Sequence, residues 1–563
     1  MANKLELTWY GKEDKISVEP RLLIENKELS NTEHDENTEN ILIHGDNLLA
    51  LKALEKKYAG QVKCIYIDPP FNTGKAFEHY DDNLEHSIWL NLMHTRFKLL
   101  HKLLSNEGVI FVNLDDSEAA YCKVLMDEIF GRSNYLNEII VSTNESFGFK
   151  STSDMIFKQA NHILFYAKNR SEFEIDKASL LIEREYDTQY KWVFFNTEAE
   201  ESDWYWENIN TVVARENGFE SSKAAKKELH DSFDIMVANY AIENAERVFR
   251  TASVSGGALL KRKETIAISK GLKNKIVRHP DDDMDYMFIG GERVIYYRER
   301  LSELDGQLLP AKLVTDIWLD ISVEGLASEG GVSFPKGKKP EKLLRRCIEM
   351  STKPGDIVLD SFLGSGTTAA VAHKMNRRWI GVEMGNQAYT HSKIRLDSII
   401  AGAERSGITK SVDWQGGGGY RFYELAPTLI NTDAFGEPII NKDYSAEMLA
   451  SAVALHEGFE FYPSEEYFWK QSRGNEKSFL FVTTRHIDVN FLAGIHESME
   501  DGEFLIIACK SYDQKAEYQF SNIKIKKIPQ MLLEKCEFGK DDYNLNIVNP
   551  PVYEDDEEDE CDE

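Results

Sequence analysis

From Ile41 the chain alternates short apolar runs with stretches of helical spacing. Ile41-Leu42-Ile43-His44 is an apolar run that ends in Gly45-Asp46, and Leu48 to Lys57 has the spacing of a helix. Cys64-Ile65-Tyr66-Ile67 is a second apolar run, stopped by Asp68-Pro69-Pro70. Trp89 to Leu104 predicts a long helix, and Val109-Ile110-Phe111-Val112 a third strand. Strand, helix, strand, helix, strand is the rhythm of a parallel, doubly wound sheet. His162-Ile163-Leu164-Phe165-Tyr166-Ala167 predicts one more strand.

The rhythm breaks over residues from about 170 to 320, which are mixed and rich in Glu, Lys and aromatics. It returns after the turn Pro354-Gly355-Asp356. Ile357-Val358-Leu359 is a strand, Asp360 to Thr368 a glycine-containing turn, Ala369 to Met375 a helix, and Trp379-Ile380-Gly381-Val382 a strand ending in Glu383. One αβ domain is therefore expected from two separated blocks with an insertion between them. The glycine run Gly416 to Gly419 is expected to be flexible or to form a turn, at the edge of a further domain. The expected division is an N-terminal extension, polar and loose, over 1–40, a first half-domain over 41–170, an insertion over 171–310, and a second half-domain over 311–425. A C-terminal domain over 426–550 and an acidic tail over 551–563 complete it.

Composition narrows this frame. The chain has 563 residues, enough for about three to four domains. Hydrophobic residues at 42% and charged residues at 29% describe a soluble, globular chain. Met1 to Pro20 is polar, so no signal peptide is expected, and no apolar run approaches the roughly 20 residues that span a bilayer. The six cysteines are scattered with no Cys-x-x-Cys, which suits a reduced, cytoplasmic setting. A net charge of −29 argues, taken alone, against a nucleic-acid partner. Glu554 to Glu563 is acidic except for Cys561, however, and supplies about a third of the excess, while Lys261 to Arg278 is strongly basic.

Asp68-Pro69-Pro70-Phe71 carries the candidate chemistry. Each proline fixes its own backbone angle and pushes the residue before it out of the helical region. The segment is thus stiff and extended at the carboxyl end of a strand, where open α/β sheets bind ligands. An exocyclic amine is a poor nucleophile because its lone pair is delocalised into the ring. Acceptors on its hydrogens, here the Asp68 carboxylate and the Pro69 carbonyl, draw it towards a tetrahedral, reactive shape. Phe71 offers a face on which an extruded base stacks. Methyl transfer from a sulfonium then needs alignment and proximity, and no metal is expected.

Asp360-Ser361-Phe362-Leu363-Gly364-Ser365-Gly366-Thr367-Thr368 follows a strand and opens a helix. Its glycines let the backbone approach a ligand, and the helix N-terminus adds partial positive charge. Glu383, at the end of the next strand, suits the two hydroxyls of a ribose. No Gly-Lys-Thr follows, which excludes a P-loop. The loop alone leaves a dinucleotide open, and Asp-Pro-Pro-Phe in the same chain tips the choice to S-adenosylmethionine. Asp46 has two readings, facing the cofactor's adenine or capping the helix from Leu48.

Together these residues resemble the β-class amino-methyltransferases, in which the catalytic motif precedes the cofactor motif. Asp68-Pro69-Pro70-Phe71 matches the catalytic tetrapeptide, with Phe71 where Tyr is commoner. Asp360 to Thr368 matches the cofactor motif, with Asp360, Phe362, Gly364, Gly366 and Thr367 as its binding positions. Phe334-Pro335 and Lys339-Pro340, before a helix from Glu341 to Met350, look like a third, cofactor-side motif. Ile43 to Leu48, Ala311 to Trp318 and Trp414 to Gly419 are similar to segments of the Mod subunits of type III restriction-modification systems. The resemblance implies a Rossmann-like S-adenosylmethionine-dependent methyltransferase domain with circularly permuted motif order, an inserted target-recognition domain and a C-terminal α+β domain. It further implies adenine-N6 methylation of double-stranded DNA, a homodimer, and a restriction subunit of the helicase-nuclease type as partner. The acidic tail is not part of the family pattern.

Lys261, Arg262 and Lys263 in the insertion are candidate phosphate contacts, the alternative being a solvated helix face. Trp204-Tyr205-Trp206 reads better as core than as a wedge into DNA. Two rival functions remain open. One is another amine target on the same scaffold, such as cytosine N4 or a non-DNA substrate; cytosine-N4 enzymes tend to carry Ser where Asp68 stands. The other is a DNA-specificity subunit without catalysis, against which Asp68, Phe71 and Glu383 argue.

Overall fold

The computed structural model describes residues 6–9, 11–13, 17–70, 86–142, 159–272, 274–280, 286–304, 306–321, 325–334, 337–533 and 535–539. Phe71, Lys273, Pro335 and the acidic tail lie outside the described residues. Residues up to Asp176 together with those from Asp316 onward make one compact unit, and Lys177–Thr315 make a second.

A ten-stranded sheet organises the first unit. Its strands are β1 (Leu23–Glu25), β2 (Ile41–His44), β3 (Val62–Ile67), β4 (Leu104–Leu114), β5 (Tyr135–Ser142), β6 (Ala160–Ala167), β7 (Ile317–Trp318), β8 (Ile357–Asp360), β9 (Arg378–Glu383) and β10 (Arg421–Leu425). They lie in the order β1, β10, β2, β9, β8, β3, β4, β6, β5, β7. From β10 to β4 every pair is parallel, and β6 runs antiparallel to both β4 and β5. The middle strands are covered on both faces, which is why β3 and β8 read as nearly continuous apolar runs.

Helix α1 (Asn47–Tyr58) and helix α2 (His86–Leu103) lay an apolar stripe on one face of this sheet. Trp89, Met93, Phe97 and Leu100 recur at helical spacing and share a core with Ile65, Ile67, Ile110 and Val112. Each such buried side chain contributes roughly 1.5–3 kcal/mol.

The two sequence blocks join at the centre. β8 pairs with β3 in parallel, with Val358 opposite Cys64 and Leu359 opposite Ile65. The chain thus leaves the sheet after its first half and returns beside the strand that ends at Asp68. This is a doubly wound, Rossmann-like αβ fold built from two separated blocks of sequence.

Three local expectations change or are settled. The stretch 1–40 is not simply loose, since Leu23–Glu25 pairs antiparallel with β10. Three residues are too few for a periodic signal. Of the two forms expected of the glycine run, flexible or turn-forming, it takes the turn, closely packed. Gly416, Gly417 and Gly418 take positive φ, and a Cβ on Gly419 would lie 2.6 Å from the Asn31 carbonyl oxygen. The run leads directly into β10. Strands β5 and β10 go unforeseen because Tyr135–Ser142 and Arg421–Leu425 show neither a clean alternation nor a long apolar run.

In the second unit a six-stranded antiparallel sheet runs in the order Ile276–Arg278, Met287–Ile289, Glu292–Tyr296, Val248–Ala252, Trp192–Phe195, Tyr205–Asn208. Helices Ile209–Glu216, Ser222–Leu229 and Asp231–Glu243 bury Val212, Val213, Phe233 and Val237 in a core of their own. Trp204 and Trp206 pack against Phe194, Phe249 and Met287, as core residues do.

The C-terminal part of the first unit has a separate five-stranded sheet. Ser478–Ile487, Phe504–Tyr512 and Ile523–Lys527 are parallel, with helix Val489–Glu497 as the crossover between the first two. Among the described residues no helix is long and apolar enough to cross a membrane. Nor, among them, does any group of three His, Cys, Asp or Glu residues form a metal-holding cluster.

Candidate active site

Asp68 stands where β3 stops. Pro69 and Pro70 cannot donate to a ladder, so the chain leaves the sheet there. The buried Trp89 indole donates to the Pro70 carbonyl at 2.8 Å and pins the dipeptide to α2. One oxygen of Asp68 accepts from Asn113 Nδ2 at 2.7 Å, from the neighbouring strand β4. The other is paired with the Lys339 ammonium. The Asp68 side chain remains 18% exposed, and Lys339 13%. Burial pushes the nearby Tyr66 phenol well above its ordinary range, and the charge of Asp68 adds to that.

Asp360, one strand away at the end of β8, is wholly buried. Its Oδ1 accepts from the Phe362 amide at 2.9 Å and its Oδ2 from the Thr368 hydroxyl at 2.5 Å, so the carboxyl closes its own turn. Burial pushes it up to about 7, against those hydrogen bonds, and the charges of Asp68 and Glu383 push the same way. Gly364 and Gly366 have φ of 56° and 83°. Gly366 is the left-handed residue that starts helix α4, after α3 (Glu341–Ser351) and before α5 (Lys393–Ile400), with α4 itself Thr367–Lys374. A Cβ on Gly366 would come within 3.1 Å of Ser392 Cα. Glu383, ending β9, accepts from the Gly364 amide at 2.6 Å and the Gly385 amide at 2.9 Å. Thr367 Oγ1 accepts from Arg395 at 2.8 Å. Phe362 is half-buried against the core of the sheet.

Of the two readings of Asp46, the structure displays the cap. Its Oδ1 accepts from the Leu48 and Leu49 amides at 2.9 and 3.1 Å, and its Oδ2 from Arg96 at 3.1 Å. Lys339, placed with the cofactor motif by its sequence neighbours, sits on Asp68. The basic tripeptide of the insertion divides. Lys261 and Lys263 are exposed, whereas Arg262 is buried with its guanidinium 3.6 Å from the Tyr286 ring centroid.

Sequence reasoning missed Asn113 and a set of wholly buried charges behind the loop. Glu341, the first residue of α3, accepts from Lys374 at 2.9 and 2.8 Å, from Arg395 at 2.7 Å and from the Ile408 amide at 2.9 Å. Lys374 also pairs with Glu404 at 2.5 Å. Lys374 and its neighbours hold the Glu404 carboxyl down at about 2, against the upward push of burial. Two cations thus balance two carboxylates, as burial of charge requires. The charged residues lie on separate elements, so no spacing in the sequence announces them.

The loop suits a polar ligand with an adenosyl part. Ser361 Oγ, within the loop, and Gln387 Nε2, four residues beyond Glu383, are buried with no hydrogen-bond partner. A buried polar atom without a partner is rare and marks a place where a ligand or water completes the bonding.

A family model described as DNA methylase, of the N6/N4 type, matches residues 62–393, and the chain belongs to that family. It is 35% identical over 423 residues to the probable type III restriction-modification enzyme HindVI Mod subunit of Haemophilus influenzae, covering 69% of this chain and 54% of that protein. Identity is 26% to the EcoPI Mod subunit of Escherichia phage P1, over 66% of this chain and 61% of that one. It is 25% to the EcoP15I Mod subunit of Escherichia coli, over 66% and 62%. The chain therefore spans between about half and three-fifths of the length of these relatives. A solved complex of M1.HpyAVI with SAM aligns with 63% of this chain and 99% of its own, at 15% identity and a TM-score of 0.30.

Proposed function

We propose that this chain transfers a methyl group from S-adenosylmethionine to the exocyclic N6 of adenine in double-stranded DNA. In this reading it is the modification and recognition subunit of a type III restriction-modification system. One observation carries the proposal: β3 and β8 are hydrogen-bonded neighbours, so Asp68-Pro69-Pro70 and the loop Asp360 to Thr368 open at the same end of one sheet.

The cofactor, when bound, supplies a methyl group on a sulfonium that departs as a neutral thioether. Glu383 and the backbone around Gly364 and Gly366 would hold its adenosyl part, with Phe362 beside it and Thr367 at the helix start. Asp360 fixes the turn from within, and Asp46 fixes the start of α1. Asp68 accepts a hydrogen bond from the target amine, which frees its lone pair, and takes up the proton that the nitrogen loses as the carbon–nitrogen bond forms. The Pro69 carbonyl accepts the second N–H. Phe71 lies outside the described residues, and its proposed part is to stack on the extruded base.

The unit Lys177–Thr315 is the proposed target-recognition domain, with Lys261 and Lys263 on DNA phosphates. Its own compact core suits a separate recognition module. A partner restriction subunit of the helicase-nuclease type, a homodimer and a cytoplasmic location belong to the same reading, and the relatives' names as Mod subunits of restriction-modification enzymes support the first to the extent that a Mod subunit is one part of a larger enzyme.

The test is methyl transfer from labelled cofactor to unmethylated genomic DNA, followed by digestion to nucleosides and mass spectrometry. N6-methyladenine made by the wild type and absent with Asp68→Ala is the expected result. N4-methylcytosine would move the target to the other branch of the family. No methylated base despite cofactor binding would overturn the proposal for this chain alone.

A further inference from the structure

The pairing of Lys339 with Asp68 spans 271 residues of sequence and joins the third motif to the first. Lys339 is held in place from its own side. Pro340 fixes the backbone after it and excludes the helical region for Lys339 itself. Glu341 then begins α3 as a wholly buried carboxylate, bonded to Arg395 and Lys374. Arg395 in turn donates to Thr367 at the start of α4. A continuous run of side chains and backbone therefore connects the Asp68 carboxylate, through Lys339, Glu341 and Arg395, to the loop proposed to hold the cofactor.

The two parts of this run differ in kind. Glu341, Lys374 and Arg395 are fully buried and serve the fold. Lys339 and Asp68 are each partly exposed, so their pairing adds little to stability. What the ammonium does supply is orientation. A carboxylate free to spin about its Cβ–Cγ bond presents its lone pairs in many directions. Asp68 has one oxygen on Asn113 and the other on Lys339, which leaves the carboxylate a single plane. Each oxygen keeps lone-pair capacity beyond those bonds.

We propose that Lys339 is a positioning residue for methyl transfer: its ammonium fixes the plane of the Asp68 carboxylate, so that the acceptor meets the target amine already aligned with the cofactor loop. This rests on the methyltransferase reading above. Positioning of a reacting group to within a fraction of an ångström is worth orders of magnitude in rate, so a group that touches neither cofactor nor base can still govern the chemical step.

The experiment compares the full-length wild type, Asp68→Ala, Lys339→Met and Lys339→Arg. It measures single-turnover methyl transfer at saturating cofactor and DNA, and binding of S-adenosylhomocysteine by calorimetry. Wild-type activity that disappears in Asp68→Ala establishes the underlying reading. Lys339→Met is then expected to lose about 100-fold in single-turnover rate while its affinity for S-adenosylhomocysteine stays within about two-fold. Lys339→Arg, which keeps a cation on the carboxylate, is expected to recover at least about ten-fold of that loss. A Lys339→Met enzyme with normal rate at saturation and weakened S-adenosylhomocysteine binding would overturn the proposal and return Lys339 to the cofactor. Equal loss in Met and Arg variants that melt at the wild-type temperature would also overturn it. A wild type that methylates no DNA would remove the reading and the inference together.

Discussion

The loops after β3 and β8 both begin with an aspartate, and they use it in opposite ways. Asp68 keeps part of its carboxylate open to solvent and is steadied from outside, by Asn113 and Lys339. Asp360 is buried, and its two oxygens accept from Phe362 and Thr368 within its own turn. An acid that must meet a substrate needs reachable lone pairs. An acid that shapes a backbone works best when desolvated, and tolerates the raised affinity for protons that follows. Two Asp residues at equivalent ends of neighbouring strands are thus the proposed working group and a structural one, and their surroundings differ accordingly.

The sharpest break of this contrast is Asp68→Ala. Methyl transfer is expected to fall by about 10²–10⁴-fold in a radiolabel assay, with an unchanged melting temperature. Lys374→Ala is the mirror case. It leaves Glu404 without its cation and Glu341 with Arg395 alone, and is expected to cost about 3–5 kcal/mol in urea unfolding. Gly364→Asp adds a side chain at φ 56° beside Glu383, and is expected to abolish measurable S-adenosylhomocysteine binding in calorimetry.

The pH dependence sharpens the comparison further. Asp360 is pushed up from 3.8 to about 7, so the folded state holds its proton more tightly than the unfolded chain. Its contribution therefore favours folding at low pH and is withdrawn as pH rises from about 4 to about 7. Glu404 is held at about 2 against an ordinary 4.5, and contributes stability above about pH 4.5 that is lost as pH falls towards 2. Thermal melts of Asp360→Asn against wild type should diverge between pH 4 and 7, and a pH-independent difference would contradict this assignment. The smallest effects belong to the insertion. Lys261→Ala or Lys263→Ala should leave stability within about 0.5 kcal/mol and lower the salt slope of DNA binding by about one each. Arg262→Ala should instead destabilise that unit by about 1 kcal/mol, since its guanidinium lies on Tyr286.

Much of this is readable in the sequence. β2, β3, β4, β6, β8 and β9 are apolar runs with turn residues at their ends, because strands covered on both faces leave no room for polar side chains. Asp68-Pro69-Pro70 and the Asp360 to Thr368 loop are local motifs, fixed by proline and glycine chemistry within a few residues. Long-range partnerships were not readable. Nothing near Lys339 in sequence shows that it lies on Asp68, or that Arg395 joins Glu341 to Thr367. Arg262 looked like its basic neighbours, and only the fold turns it inward. Asp46 illustrates the limit most plainly: its sequence supports a cap and a ligand equally, and the positions of Leu48, Leu49 and Arg96 show the cap.

The pairing of β8 with β3 also sets a problem of timing. On the ribosome, β3 emerges about 290 residues before its neighbour β8. At 5–20 residues per second that is roughly 15–60 s during which one long edge of a hydrophobic strand has no native partner. Such an edge invites pairing with other chains. The compact insertion, with its own core, can fold within that interval, while the first half of the sheet waits. Chaperone dependence during synthesis, more than final stability, is where this permuted order is expected to be felt.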